Sequence, residues 1–170
     1  MGQTSLTVAF LITLTVIVLN ANKMILDSEQ DSISGMALRE SADIAESLIS
    51  EIQRKKFDQN AVVTYYQAQS EFTSASKLGP ESGESISPSP DVWPYKSIKN
   101  YTDADDYNGY KRTVDTPTLQ GYTVACKVYY VTNTNFESVQ TSQQYFKRIT
   151  VTVEHSQYLK AVTFSALVAY

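Results

Sequence analysis

The N-terminal third of the chain carries two successive hydrophobic patterns that both favour helix. The first is a run without charged residues at positions 6–19, which is apolar almost all round. The second is amphipathic, and its apolar residues recur at helical spacing, which keeps them on one face. They are Ile25, Ile33, Met36, Ala37, Ile44, Ala45, Leu48, Ile49 and Ile52. Because no proline occurs before Pro80, the two patterns predict one helix over residues 4–57, roughly 80 Å long.

Beyond residue 57 the helical pattern fades, and the second half of the chain alternates apolar and polar residues. Val, Thr and Tyr are frequent there, and Ile149, Val151 and Val153 are separated by polar neighbours, as in a strand with one buried face. Four strands are predicted, at residues 110–115, 122–132, 146–154 and 161–170. Residues 74–94 hold most of the prolines and many serines, which predicts a loop.

The order of these elements predicts an α+β fold in which a mainly antiparallel sheet packs on the C-terminal half of the helix. We divide the chain into an N-terminal helix at residues 1–57 and a β-rich head at residues 58–170, with a long loop at residues 74–109. Within the helix, residues 1–26 form the apolar segment and residues 27–57 the part that packs on the head. Residues 62–66 could extend the helix or begin the link to the head.

Charge and composition exclude several classes of function. A net charge of −4 argues against a nucleic-acid surface, which needs a basic patch. Cys126 and His155 are each alone, which argues against an intramolecular disulfide, a zinc site and a Cys/His nucleophile. With no glycine-rich phosphate loop either, we expect no enzyme, and Cys126 is expected to be a buried small hydrophobe. Glu51 and Lys55, one helical turn apart, are expected to form a weak ion pair.

The apolar run predicts a weak, extractable membrane anchor. It is shorter than the roughly 20 residues that normally span a bilayer. Extending it to Leu26 would reach that length but would bury Asn20 and Asn22, while Lys23 could reach the interface. The threonines of the run are tolerated in apolar surroundings because each hydroxyl can bond a carbonyl of the preceding turn. No basic residue precedes Lys23 and no small-residue cleavage motif follows the run, unlike a secretory signal peptide.

An apolar N-terminal helix that continues into an amphipathic one, ahead of a β-rich domain, resembles type IV pilins and pseudopilins. Two local patterns strengthen the resemblance. One is Asp-Ala-Asp-Asp-Tyr-Asn-Gly at residues 103–109, which looks like the Asp-Asp-Tyr-x-Gly turn of minor pilins of the mannose-sensitive haemagglutinin type. The other is Lys-Arg-Ile-Thr-Val-Thr-Val at residues 147–153, followed by a final hydrophobic strand, which is similar to the end of those relatives.

The family's processing implies two alternatives for the N-terminus. In this family a specialised peptidase removes a short basic leader after a glycine, and the new first residue is usually N-methylated. The resemblance implies either that Met1 is the mature, modified residue or that cleavage falls between Gly2 and Gln3. The glutamate that the family carries four residues after the mature start is replaced by Ser5 or, under the second alternative, by Thr7.

A second departure from the family concerns the first helix. The family's usual helix-loosening glycine and proline are absent, and Leu14 and Asn22 stand in their places. This departure favours a helix that continues without interruption through the core of an assembly.

The resemblance implies a structural subunit of an extracellular type IV pilus-like filament, assembled with copies of itself by packing of N-terminal helices. The subunit would be stored in the inner membrane and handled by a prepilin peptidase and the pilus assembly machinery. The expected filament-core residues are Met1, Leu6, Val8, Phe10, Leu11, Leu14, Ile17 and Val18. The alternatives are a minor pilin or pseudopilin of a secretion or adhesion system, and a monomeric membrane-anchored binding domain on the cell surface.

Asp103, Asp105 and Asp106 form the candidate metal site of the sequence, because clustered carboxylates offer the oxygen ligands that calcium prefers. The spacing begins like an EF-hand loop, but Tyr107 stands at the third ligand position and no glutamate lies at the twelfth. The resemblance to major pseudopilins, which bind calcium in a loop near the sheet, supports calcium. The alternative is a plain turn, in which Asp side chains cap the backbone and Gly109 supplies a positive φ. No other cofactor is expected.

Overall fold

The computed structural model of the protein describes residues 2–61 and 67–170, without the side chains of residues 2, 4 and 5. Met1 and the undecided segment 62–66 therefore lie outside the described residues. The main elements are helix α1 (Gly2–Gln53), the short helix α2 (Ser97–Asn100) and strands β1 (Lys111–Val114), β2 (Tyr122–Val131), β3 (Val139–Gln140), β4 (Phe146–His155) and β5 (Leu159–Ala169). The predicted α+β fold, a long helix followed by an antiparallel sheet, is confirmed.

Helix α1 has a projecting half and a packed half. Every described side chain from Gln3 to Ser32 is exposed. Farther along, one face is buried: Ala37, Ser41, Ile44, Ala45, Leu48 and Ile52. From Ala37 onward the predicted apolar stripe is buried, except that Ile49 is partly buried. Its first member, Ile25, is exposed because the helix extends beyond the sheet there.

The helix ends at Gln53 and not at the predicted residue 57. The N–H of Lys55 donates to the carbonyl of Ile52 at 3.0 Å, which is the tighter turn common at helix ends. The chain then bends, so that Phe57 joins Phe72 in a small buried cluster, with their ring centroids 5.2 Å apart. Burial of this aromatic pair outweighs a further turn of helix.

The sheet has the strand order β1-β2-β4-β5, and every pairing is antiparallel. These four strands lie within two residues of their predicted bounds. The strand β3 was not predicted, because residues 132–144 are polar and turn-like; it pairs with the end of β2 through only two residues, Val139 and Gln140.

The core of the head lies between the packed half of α1 and one face of the sheet. Leu48 and Ile52 of the helix belong to the same buried cluster as the inward-facing residues of β2 and β4. Each fully buried aliphatic side chain contributes about 1.5–3 kcal/mol. Cys126 of β2 is 1% exposed, which confirms its predicted burial. The core uses α1 only from Ala37 onward, so the projecting half adds nothing to it.

Candidate assembly surface and carboxylate cluster

A mostly apolar surface covers the projecting part of α1 at residues 6–26, and from here on we use the name apolar segment for these residues. The predicted filament-core residues in it are all exposed, from 47% for Leu14 to 76% for Leu6. They are Leu6, Val8, Phe10, Leu11, Leu14, Ile17 and Val18; Met1 lies outside the described residues. By length and composition, α1 is the one helix in the described parts of the chain that could cross a membrane. An apolar surface of this extent requires lipid or protein to cover it.

The threonine hydroxyls within this segment are satisfied by the helix itself. The hydroxyls of Thr7, Thr13 and Thr15 donate to the carbonyl oxygens of residues 3, 9 and 11, at 2.6, 2.9 and 2.8 Å respectively. The predicted bonds to the preceding turn are confirmed for these threonines. The segment can therefore lie in lipid or in a protein core without leaving these hydroxyls unpaired.

Glu51 joins the end of α1 to the head. Its Oε2 lies 3.1 Å from Nη1 of Arg112, and its Oε1 accepts a hydrogen bond of 2.6 Å from the hydroxyl of Tyr107. Lys55, which we predicted to pair with Glu51, instead donates to backbone carbonyls of the head, at 2.7 Å for that of Tyr101. The packed half of α1 is therefore fixed to the head by polar contacts as well as by its apolar face.

Lys147 occupies an inward-facing position of β4 and is completely buried. Its Nζ donates to the carbonyl of Phe57 at 2.7 Å, to Oδ2 of Asp58 at 3.1 Å and to Oδ1 of Asp105 at 2.6 Å. Burial acts to raise the pKa of Asp58, but the Lys147 ammonium and hydrogen bonds from backbone N–H groups outweigh it, and the pKa lies below its ordinary value. This triad of Lys147, Asp58 and Asp105 links the sheet, the chain that follows α1, and the turn at residues 103–109, which we call the acidic turn.

Two of the three aspartates that we considered for calcium have other partners. Oδ1 of Asp103 accepts the N–H groups of Asp105 and Asp106 at 2.9 and 3.3 Å, and its Oδ2 accepts the N–H of Gln59. Asp105 binds the lysine of the triad. Oδ2 of Asp106 accepts the N–H groups of Thr102 and Asp103 at 2.7 and 3.0 Å. These contacts favour the turn interpretation for Asp103 and Asp105, whereas the second oxygen of Asp106 is not used by the turn.

Two glutamates outside the predicted site face Asp106. One carboxylate oxygen from each of Glu81, Glu84 and Asp106 lies within 4.8 Å of the other two, and we call these residues the carboxylate cluster. Gly83 has a φ of +100°, which favours glycine, and the turn it permits lets Oε2 of Glu84 accept the N–H of Glu81 at 3.1 Å. Burial, together with the carboxylates of Glu84 and Asp106, raises the pKa of Glu81 to about 8.

Asn108 holds the loop that carries the two glutamates against the sheet. Its Nδ2 donates to the carbonyl of Leu78 at 2.9 Å, and its Oδ1 accepts the N–H of Val128 at 3.2 Å. The side chain of Asn108, which belongs to the acidic turn, therefore helps to position Glu81 and Glu84 beside that turn.

Sequence reasoning missed Lys147, Glu81 and Glu84. A signal for the lysine existed, because Lys147 stands at the same alternate positions as Ile149 and Val151, and so belongs to the buried face of its strand. No such signal marks the glutamates, which lie in a serine-rich and proline-rich stretch without periodicity.

Comparison with known proteins found no family model, no curated protein and no solved structure that matches the chain.

Proposed function

We propose that the protein is a structural subunit of an extracellular type IV pilus-like filament, in which copies of α1 pack together. The observation that carries the proposal is the apolar segment, which projects without a partner from a head whose core is complete without it. Lipid would cover the segment while the subunit is stored in a membrane, and neighbouring copies would cover it after assembly.

Assembly of such a subunit depends on packing more than on the hydrophobic effect. A helix that moves from lipid into a protein core gains little from burial, since lipid tails are already apolar. Close contacts between side chains must supply the stabilisation. The hydroxyls of Thr7, Thr13 and Thr15 already donate to carbonyls of their own helix, so they do not enter the filament core unpaired. A charge-free run at residues 6–19 suits both environments.

The proposed partners follow from the transfer of the subunit from the membrane to the filament. They are the inner membrane before assembly, a prepilin peptidase that would expose and methylate the N-terminus, the pilus assembly machinery, and other copies of the chain. The role of the protein in this proposal is mechanical and involves no catalysis.

Electron microscopy of the cell surface, with mass spectrometry of sheared material, tests the proposal. We expect thin filaments in which this chain is the abundant component. Filaments that persist unchanged after deletion of the gene for this chain would contradict it.

Two alternatives make different predictions in the same experiment. A minor pilin or pseudopilin, which the motifs at residues 103–109 and 147–153 resemble, would be present in sheared filaments at a small fraction of the major subunit. A monomeric membrane-anchored binding domain would remain in the membrane fraction and would not self-associate in detergent.

Truncation of Leu14 to alanine is expected to weaken filaments and leave the head intact. Leu14 belongs to the apolar segment and makes no contribution to the core of the head. In a tightly packed filament core, loss of a buried leucine costs about 2–5 kcal/mol for each subunit. The measurement is the temperature and the detergent concentration at which the filaments dissociate, beside the thermal unfolding of the head.

Leu48→Ala is the matched control for that substitution. Leu48 is 0% exposed within the head, so the same change there should lower the free energy of unfolding of the head by about 2–5 kcal/mol. If Leu14→Ala filaments resist heat and detergent as well as the wild type does, residue 14 does not lie in an assembly core.

A further inference from the structure

We propose that Glu81, Glu84 and Asp106 form a binding site for a divalent metal cation with the ligand preference of calcium. One oxygen of each residue lies within 4.8 Å of the other two. Oxygens that bind the same calcium ion at about 2.4 Å can be at most about 4.8 Å apart, and all three pairs of oxygens meet this limit. The site differs from the three aspartates considered from the sequence, with which it shares only Asp106.

Two oxygens of the cluster have no hydrogen-bond donor and are available to a cation. Asp106 is 0% exposed, and its Oδ1 has no hydrogen-bond partner, although Oδ2 accepts two backbone N–H groups. Oε2 of Glu81 is also buried without a partner. A buried carboxylate oxygen without a donor is costly. A proton on Glu81, whose pKa is raised to about 8, satisfies a pair of these oxygens, whereas a divalent cation in its place satisfies all three groups at once.

The balance of charge around the cluster supports the same conclusion. Among the described residues, the buried cation that pairs with the acidic turn is Lys147, whose Nζ is already held by Asp58 and Asp105. No salt bridge among the described residues includes any of the three residues of the carboxylate cluster. The three acidic groups of the cluster therefore lie at close range without an ion-pair partner among the described residues.

The geometry also indicates the type of cation and the strength of binding. The ligand atoms are all carboxylate oxygens from two loops, which suits calcium better than a metal that prefers nitrogen or sulfur. Oε1 of Glu81 is held by the side-chain amide of Gln59 at 2.6 Å, which orients the carboxylate. Glu81 and Glu84 are partly exposed, so water can complete the coordination. A dissociation constant of about 0.1–1 mM is expected for such an open site.

Thermal unfolding of the full chain in detergent tests the site. After treatment with a chelator, addition of about 10 mM calcium chloride should raise the melting temperature of the head by about 5 °C. Glu81→Gln and Asp106→Asn should each abolish at least half of this rise. Glu71→Gln makes the same chemical change on an exposed side chain outside the cluster, and it should leave the rise intact.

The metal-free melting temperature of Glu81→Gln distinguishes a ligand from a merely structural residue. Because the pKa of Glu81 is about 8, the group is mostly protonated at neutral pH, and glutamine can still accept the hydrogen bond from Gln59. This temperature should therefore stay close to that of the metal-free wild type, although the response to calcium is lost. Titration calorimetry of the wild type should give one bound calcium ion per chain, and Glu81→Gln should give none. An unchanged melting temperature of the wild type with calcium, or an equal rise in Glu81→Gln and Asp106→Asn, would overturn the proposal.

Discussion

A chain that begins at Asp27 is expected to be soluble and monomeric, whereas the full chain associates. The deletion removes the whole apolar segment, whose described side chains are exposed and make no contact with the core of the head. The buried face of α1 begins at Ala37, so the shortened helix keeps every residue that packs on the sheet. Analytical ultracentrifugation in the absence of detergent measures the state of association, and electron microscopy detects filaments.

The shortened chain should also unfold at nearly the same temperature as the head of the full chain. This comparison is the control, since a deletion that damaged the head would lower the melting temperature. Filaments formed by the shortened chain would contradict the proposed role of the apolar segment, because the head alone would then carry the contacts between subunits.

Replacement of Lys147 by methionine is expected to destabilise the head by about 3–5 kcal/mol at neutral pH. Methionine is similar in length and apolar, but it leaves Asp58 and Asp105 buried without the ammonium that both now contact. A domain of this size has a total stability of about 5–15 kcal/mol, so the loss brings the head close to unfolding. Urea unfolding of the chain that begins at Asp27 measures the effect.

Lys127→Met provides the control for that substitution. Lys127 lies on the neighbouring strand β2 but is exposed, and its replacement should change the stability of the head by less than about 0.5 kcal/mol. Equal stability of the two variants would mean that the buried charges of the triad do not need Lys147.

The pH dependence of the Lys147→Met variant should identify the cause of its instability. In the wild type the pKa of Asp58 lies below its ordinary value of 3.8, so the ionised Asp58 stabilises the head above that pH, and this contribution is lost as the pH falls through the lowered pKa. Without the lysine, burial raises the pKa of Asp58, and the variant loses stability as the pH rises. The difference in unfolding free energy should therefore shrink between pH 7 and pH 4.

Periodicity predicted the elements of this fold, and long-range contacts determined where they end. The apolar spacing of residues such as Ile44 and Leu48 was sufficient for α1, and alternation was sufficient for the four longer strands. The end of α1 depends on the packing of Phe57 against Phe72, which no local pattern reveals. The strand β3 is too short to show any alternation.

The polar contacts were less predictable because they join distant parts of the chain. Lys147 binds Asp58 and Asp105, which are 89 and 42 positions away. The sequence shows the acidic turn as a concentration of charge. It does not show that Asp103 caps the turn, that Asp105 pairs with a lysine and that Asp106 faces two glutamates, because several of these partners lie in other elements. The proximity of Glu81 and Glu84 to Asp106 depends on the loop that Asn108 holds against the sheet, and no local pattern in the sequence indicates that contact.

The continuity of α1 from the apolar segment into the head couples the position of a subunit to its orientation. Glu51 near the end of the helix and Lys55 just beyond it both bind the head, so the head cannot turn independently of the packed half. A shift of one residue along the axis of a helix moves it by about 1.5 Å and corresponds to a rotation of about 100°. In the proposed filament, the register in which apolar segments interlock would therefore decide which face of each head points outward.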